Sequence, residues 1–398
     1  MRKRSGVSEN ALFLSAEAPY PAIGGGALRS ASLLEYLAQR FNVDAVLFAH
    51  SQAQSPAASI PPGKVRRSME IDLPDHARTF AARAWRNGKR LVHDRPPLLD
   101  RFSGFQQQVA QFVASQRYAV AVIEHFWCAP YLTSIRESSQ KTVLDLHNIE
   151  SVWHASLAAS SPPFSAWAHQ RFSRAYRRLE NEWLPRFDGI LVASEADRQR
   201  ILSCNRQVFV YPNAIRAVQD AKRGEEDVIA FSGNLEFEPN RAAVAYFKAH
   251  VWPLLHRRFP TLRWRIIGKN PEAVANLVAN DASIELVGPV DDAVDCLSRS
   301  KVVVVPVLAG SGTRIKILEA WGAGAPVVST SLGAEGLDAQ DGRHLLLADD
   351  PAAFAKKVSL LLEDRELRAK LGRAGQMLCQ ERYTWLAAWD KLDGSGLM

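Results

Sequence analysis

Residues 302–331 read VVVVPVLAGSGTRIKILEAWGAGAPVVSTS, an apolar run followed by a glycine-rich turn, two cations and an isolated acid. Gly310 and Gly312 allow close backbone approach to a ligand and dihedrals that other residues avoid. With Ser311 and Thr313 they lead into a helix start, where unpartnered amides and the positive end of the dipole receive anions. Arg314 and Lys316 add cationic donors, and arginine suits two-pronged contact with a phosphate. Glu319 does not belong in a bare phosphate site. A carboxylate there needs hydroxyl groups to accept from, and a ribose offers two adjacent ones. The chemistry that fits all of these residues is a nucleoside diphosphate, with phosphate at the helix start and ribose further in. The P-loop does not match, because Lys316 lies between Ile315 and Ile317, and Ile315 takes the last place of G-x-G-x-x-G. An ordinary strand-to-helix turn with solvated charges satisfies the same spacing and stays open on these residues alone.

Other residues of this kind lie in the first half. Gly24, Gly25 and Gly26 stand between an apolar run and a helical pattern, where they admit a ligand or form a plain turn. His125, in VIEHFW, ends an apolar run and is either a satisfied core imidazole or a group at the ligand edge. His147, Asn148 and Glu150, in DLHNIE, end the next run. They can bind ligand hydroxyls, or Asn148 can start a helix whose dipole favours Glu150. In residues 75–94, Ala77, Phe80, Ala81, Ala84, Leu91 and Val92 recur at helical spacing, with Arg78, Arg83, Arg86, Lys89 and Arg90 between them. That pattern suits either a helix on anionic lipid or a solvated face over a core.

The elements that must hold these residues follow from alternation. Apolar runs at Ala11–Ala16, Val43–Ala49, Ala119–Phe126, Lys141–His147, Gly189–Ser194 and Val208–Pro212 predict buried parallel strands. Helical patterns at Leu28–Arg40 and Phe105–Ser115 separate some of them. A polar stretch at 214–227 reads as a linker. The alternation then restarts with strands at Val228–Ser232, Trp264–Gly268, Ile284–Val287, Val302–Val307, Val327–Thr330 and Leu345–Ala348. Helices are predicted at Arg241–Arg258, Arg314–Trp321, Ala352–Leu362 and Glu366–Cys379. This is the pattern of doubly wound α/β domains.

With 398 residues, the chain exceeds a single core and predicts two domains. Cys128, Cys204, Cys296 and Cys379 form no C-x-x-C pair, which speaks for free thiols in a reducing compartment. The apolar piece Ala11–Ala16 is shorter than a signal peptide needs and runs into Glu17, so the expectation is a cytoplasmic protein. Residues 1–216 hold 27 Lys and Arg against 18 Asp and Glu, a net +9, while the remainder holds 22 against 24. The first half is thus the part suited to an anionic partner. Its arginines show no aromatic interleaving and no known module, so nucleic acid is not expected.

The residues also resemble a family. GSGTRIKILEAWGAGAPVVSTSLGAEGL resembles the donor-site segment of the family 4 glycosyltransferases, which have the two-domain GT-B fold. PYPAIGGGALRSASLLEYLA resembles their amino-terminal glycine loop. FDGILVASEAD and VFVYPNAI resemble the strands closing the first domain. FSGNLEFEPNRAAVAYF resembles the opening of the second, and ERYTWLAAWDKL the last helices. The set covers nearly the whole chain in order. The nearer likeness is to the bacterial branch with G-x-G-T-R-x-K-x-x-E, tied to envelope or exopolysaccharide assembly.

The resemblance implies two Rossmann-like doubly wound domains facing across a cleft. An acceptor-binding domain would span 1–215, a nucleotide-sugar domain 216–380, and a helix at 381–398 would return toward the first. It implies a retaining glycosyltransferase that moves a sugar from a nucleotide-diphosphate sugar to an acceptor hydroxyl, with no cofactor and no metal. The absence of a D-x-D pair agrees. It assigns catalysis to His125, Lys316 and Glu319. It assigns the donor to Gly25, Gly26, Gly233, Asn234, Lys269, Gly310, Ser311, Gly312, Thr313 and Arg314. From their place at the strand edge, His147, Asn148 and Glu150 are the candidates for the acceptor, a glycan or lipid-linked glycan, and residues 75–94 are a candidate contact with the inner membrane face, the solvated face being the alternative. Two positions depart from the family pattern: Ser311 replaces the first acid of Glu-x7-Glu, and Asn234 follows Gly233 where many members have arginine. Lys269 is the residue expected to cover part of that arginine's role. A sugar-nucleotide epimerase of the same fold and a non-catalytic two-domain ligand-binding protein are the alternatives.

Overall fold

A computed structural model of the chain describes residues 9–50, 55–74, 79–218, 224–290, 292–309 and 315–398. The chain folds as two units: Met1–Pro212 with the terminal Trp389–Met398, and Asn213–Ala388.

The first unit is built on β1 (Asn10–Ser15), β2 (Asn42–His50), β3 (Arg67–Leu73), β4 (Tyr118–Glu124), β5 (Ser139–Leu146), β6 (Gly189–Val192) and β7 (Val208–Val210). Among the described residues these form one parallel sheet in the order β3-β2-β1-β4-β5-β6-β7. The continuous apolar runs have a physical cause: helices cover both faces, so neighbouring residues on a strand are both buried. Ala11, Leu12, Phe13 and Leu14 are all fully buried. β3 lay outside the predicted strands. It is an edge strand with alternating polar residues, and only Ile71 and Leu73 are buried.

β2 and β4 flank β1, so the sheet grows in opposite directions from it. Such a switch point leaves a crevice beyond the carboxyl ends of β1 and β4, where Glu17 and His125 stand. The helix Gly25–Ala38 follows β1 and takes Gly25 and Gly26 into its first turn, with Gly24 at its cap at φ 92°. A helical hairpin after β5, Glu150–Ser160 and Pro163–Trp183, was not predicted; Pro163 opens its second arm. The terminal segment docks on the Gly25 helix. The Trp389 indole donates to the carbonyl and hydroxyl of Ser32, both at 3.1 Å, and Asp393 accepts from Tyr36 and Arg40, both at 2.7 Å. The helix in this region runs Trp385–Ser395 rather than from 381.

The second unit carries β8 (Glu226–Ser232), β9 (Arg263–Ile267), β10 (Ile284–Val287), β11 (Ser300–Val305), β12 (Val327–Ser329) and β13 (Leu346–Leu347). Its parallel order is β10-β9-β8-β11-β12-β13, which puts its switch point between β8 and β11. The stretch predicted as one helix at Arg241–Arg258 contains a π turn at Phe247–Val251, just before Pro253. A proline has no N–H to continue the α ladder, and the wider turn absorbs that loss. The four cysteines are free thiols. Among the described residues, no helix is long and apolar enough to cross a membrane.

Candidate functional site

In the first unit the register of β4 on β5 pairs Glu124 with Asp145. Both carboxylates are fully buried at the carboxyl edge of the sheet. Arg29, from the Gly25 helix, donates to both oxygens of Asp145, at 2.8 and 2.5 Å, and to the Tyr211 carbonyl at 2.6 Å. This charge-assisted fork holds Asp145 ionised: burial pushes its pKa up, but Arg29 outweighs that and brings it below the usual value.

His147 lies two residues beyond Asp145, so alternation returns its side chain to the same face. Its Nε2 is 3.4 Å from Asp145 Oδ2 and 3.5 Å from Glu124 Oε1. Burial alone would lower its pKa, but these carboxylates prevail and raise it to about 9. His125 follows β4 with φ 66°, and its amide donates to the Asp145 carbonyl at 2.9 Å. Its ring is sandwiched between Trp127, with centroids 4.3 Å apart at 12°, and His147, at 3.8 Å. Burial, then the charges of His147 and Arg29, push the His125 pKa well below its ordinary value. Its Nε2 makes no hydrogen bond and lies 3.8 Å from Glu17 Oε1. A neutral imidazole so placed can accept a hydrogen bond from a ligand hydroxyl.

Glu17 occupies the space beside Gly26 that a side chain there would overlap. The absence of a Cβ at Gly26 therefore seats the chain's own carboxylate against the first turn of this helix. Glu124, Asp145 and His147 each offer an atom within 4.8 Å of the other two, close enough for a metal ion. Arg29 already takes both oxygens of Asp145, whereas the two Glu124 oxygens and His147 Nε2 make no hydrogen bond.

The other predicted residues here differ in exposure. Asn148 is half-buried. Glu150 is 3% exposed and opens the first arm of the hairpin, with Ile149 rather than Asn148 at its cap. Burial and the nearby Glu180 raise the Glu150 pKa to about 8.

In the second unit the switch point brings together Ser232 at the end of β8, Gly233 just after it, Asn240 on the next helix, and Lys316 and Glu319 on the helix Ile315–Gly322. Lys316 is 9% exposed; its Nζ donates to Asn240 Oδ1 at 2.5 Å and stands 4.5 Å from the Phe231 ring centroid. Gly233, at φ 154°, makes room for this: an added Cβ would lie 2.8 Å from Asn240 Nδ2 and 3.2 Å from Lys316 Nζ. Glu319 lies one turn on from Lys316, and Ser232 Oγ approaches its Oε2 at 3.5 Å. Desolvation raises the Glu319 pKa to about 7, against the opposing pull of Lys316. The Asn234 carbonyl accepts from Asn240 at 2.8 Å, and the Lys269 carbonyl from Leu235 at 2.9 Å. Gly310, Ser311, Gly312, Thr313 and Arg314 lie outside the described residues.

Sequence reasoning missed Glu17, Arg29, Glu124, Asp145, Ser232 and Asn240. The Asp-Leu-His spacing at the end of β5 was the one signal available for Asp145. Arg29, inside an otherwise unremarkable helix, gave none.

Residues 226–364 match the family of glycosyl transferases group 1. The chain is 22% identical over 372 residues to an uncharacterized 44.6 kDa protein in the cps region of Klebsiella pneumoniae, covering 87% of this chain and 89% of that one. It is 25% identical over 284 residues to a phosphatidyl-myo-inositol mannosyltransferase of Mycolicibacterium smegmatis, covering 64% and 72%. The structure of Anabaena Alr3699/HepE in complex with UDP and glucose superposes with a TM-score of 0.68 at 13% identity, over 97% of this chain and 99% of that one.

Proposed function

The chain is a glycosyltransferase of the GT-B fold whose second unit is of the group 1 type, and from that premise we propose a donor, an acceptor class and a stereochemical course. The donor is a nucleotide-diphosphate sugar. The acceptor is a hydroxyl of a glycan or lipid-linked glycan. The transfer retains anomeric configuration and needs no metal.

The observation that carries this reading is the pairing of a buried cation with a desolvated acid one turn away, Lys316 and Glu319, at the switch point of the second sheet. When the glycosidic bond breaks, negative charge grows on the leaving diphosphate. A fixed ammonium in a dry site stabilises that charge, with Arg314 as its expected partner. Glu319, once ionised, accepts from the ribose hydroxyls. In a retaining transfer without a covalent intermediate, the acceptor attacks from the face the diphosphate leaves. The departing phosphate takes the acceptor's proton, and a neutral His125 orients the reacting groups. The cps-region relative supports an envelope polysaccharide role, and HepE, solved with UDP and glucose, supports the donor class.

A membrane-facing acceptor is supported by the first unit. The helix Phe80–Val92 exposes 77% of Trp85 and 72% of Val92, and the second arm of the hairpin exposes 76% of Phe164. One cation leaves the expected lipid-facing set: Arg90 is 8% exposed and donates to Asp100 at 3.0 Å. Asp75, His76, Ala77 and Arg78 lie outside the described residues.

A thermal-shift screen with UDP-, GDP-, ADP- and TDP-sugars tests the donor assignment. One nucleotide class should raise Tm, and transfer should survive EDTA. No shift with any of the four, or activity abolished by EDTA and restored by magnesium, would overturn the reading.

A further inference from the structure

His147 was expected to bind acceptor hydroxyls, and its surroundings give it different work. Its side chain is 7% exposed, its Nε2 faces Glu124 and Asp145, and its ring lies under that of His125. We propose that His147 is a positioning residue: an imidazolium, neutralised by Glu124 and Asp145, that packs beneath His125 and keeps the upper ring neutral, oriented and open at Nε2. The proposal rests on His125 acting in sugar transfer as described above.

Arg29 and His147 face the carboxyl groups of Asp145 and Glu124, all four buried, with Glu17 at the rim of the cluster. Arg29 is bound to both oxygens of Asp145, leaving Glu124 as the group whose two oxygens make no hydrogen bond. A buried carboxyl in that condition calls for a nearby cation; the His147 ring reaches it directly, with Nε2 3.5 Å from Oε1, and Arg29 adds its charge from beside Asp145. With His147 charged, a second proton on His125 would place two imidazolium rings at 3.8 Å. Like charges at that separation in a dry site repel strongly, so His125 stays unprotonated. The other groups facing His125 do not reverse this. Arg29 on the Gly25 helix adds positive charge, and Glu17 beyond β1 reaches only 3.8 Å with a side chain about half exposed. The Cys128 thiol, past β4, is held protonated by its burial. Trp127 closes the opposite face, so the ring is fixed from both sides.

The purpose is a paired protonation state. Two histidines at the end of adjacent strands would ordinarily titrate together near pH 6.5. Here the lower one holds the proton, and the upper one keeps a lone pair at neutral pH.

Two measurements test this on the full-length protein. Imidazole 1H–15N correlation spectra of the wild type, with His125→Gln and His147→Gln for assignment, should show His147 charged and His125 neutral between pH 6 and 8. A neutral His147 at pH 7, or a charged His125, overturns the proposal whatever the reaction proves to be. Second, the acid limb of kcat/KM should move up by about one pH unit in His147→Gln, because the repelling charge is gone. An acid limb unchanged in an active His147→Gln protein also overturns it. Failure of sugar transfer in the wild type would instead overturn the functional reading, and the spectra would still decide the charge of each ring.

Discussion

Arg29 grips both carboxylate oxygens of Asp145, at 2.8 and 2.5 Å, with the two side chains 1% and 0% exposed. Residues 116 positions apart thus tie the first helix to the end of β5, directly beneath the paired histidines. Breaking one half leaves the other as an uncompensated buried charge. Arg29→Ala should lower stability by about 3–5 kcal/mol, whereas Arg29→Met with Asp145→Leu should lose much less. Urea unfolding followed by tryptophan fluorescence separates the two cases.

Stability should fall as pH rises from 7 to 9. His147 is raised to about 9 and Glu150 to about 8, so across this window the folded chain binds more protons than the unfolded one. The stability that His147 contributes is fully present below about 6.5 and is lost as pH passes its folded pKa. The loss from this residue is on the order of 2 kcal/mol by pH 9. His147→Gln should flatten the dependence of Tm on pH over that range.

Gly268→Ala should damage folding of the second unit itself. Gly268 sits at φ 155°, and a Cβ there would overlap the Gly233 carbonyl oxygen, which is backbone and cannot swing away. A loss of about 3 kcal/mol or more is expected. Chemical denaturation of the variant, read beside that of Gly63→Ala, gives the comparison. Gly63 has φ 79° and nothing within 4 Å of an added Cβ, so it reports the backbone strain alone.

Lys316→Ala should reduce kcat by about 10²–10³-fold with a smaller change in donor KM, since its charge matters most as the diphosphate leaves. Initial rates at saturating donor read this directly. The expectation fails if kcat stays within a factor of about two.

Much of this arrangement was legible before the structure. Unbroken valines at 302–305 announced β11, and a strand buried on both faces has few other readings. Lys316 and Glu319, one helical turn apart, announced a shared face. What stayed hidden depended on distant partners. Asn240 meets Lys316 across 76 positions, and Arg29 meets Asp145 across 116. β3 was invisible because an edge strand needs only alternate burial, and RSMEIDL reads as polar. The surroundings of His147 stayed hidden for a related reason: its Nε2 lies 3.5 Å from Glu124 Oε1, a residue of the neighbouring strand.

The most direct test is calorimetric titration of nucleotide sugars into wild type and Glu319→Ala, in buffers of different ionisation enthalpy. Burial raises the Glu319 pKa to about 7, and in the proposed complex its ionised form is the stronger acceptor for the two ribose hydroxyls. One donor class should therefore bind with release of a fraction of a proton at pH 7, more tightly as pH rises from 6 to 8. Glu319→Ala should bind it at least about tenfold more weakly, without the proton release. Equal affinity in the two proteins, or no saturable binding by any nucleotide sugar, would contradict the assignment of Lys316 and Glu319 to the donor.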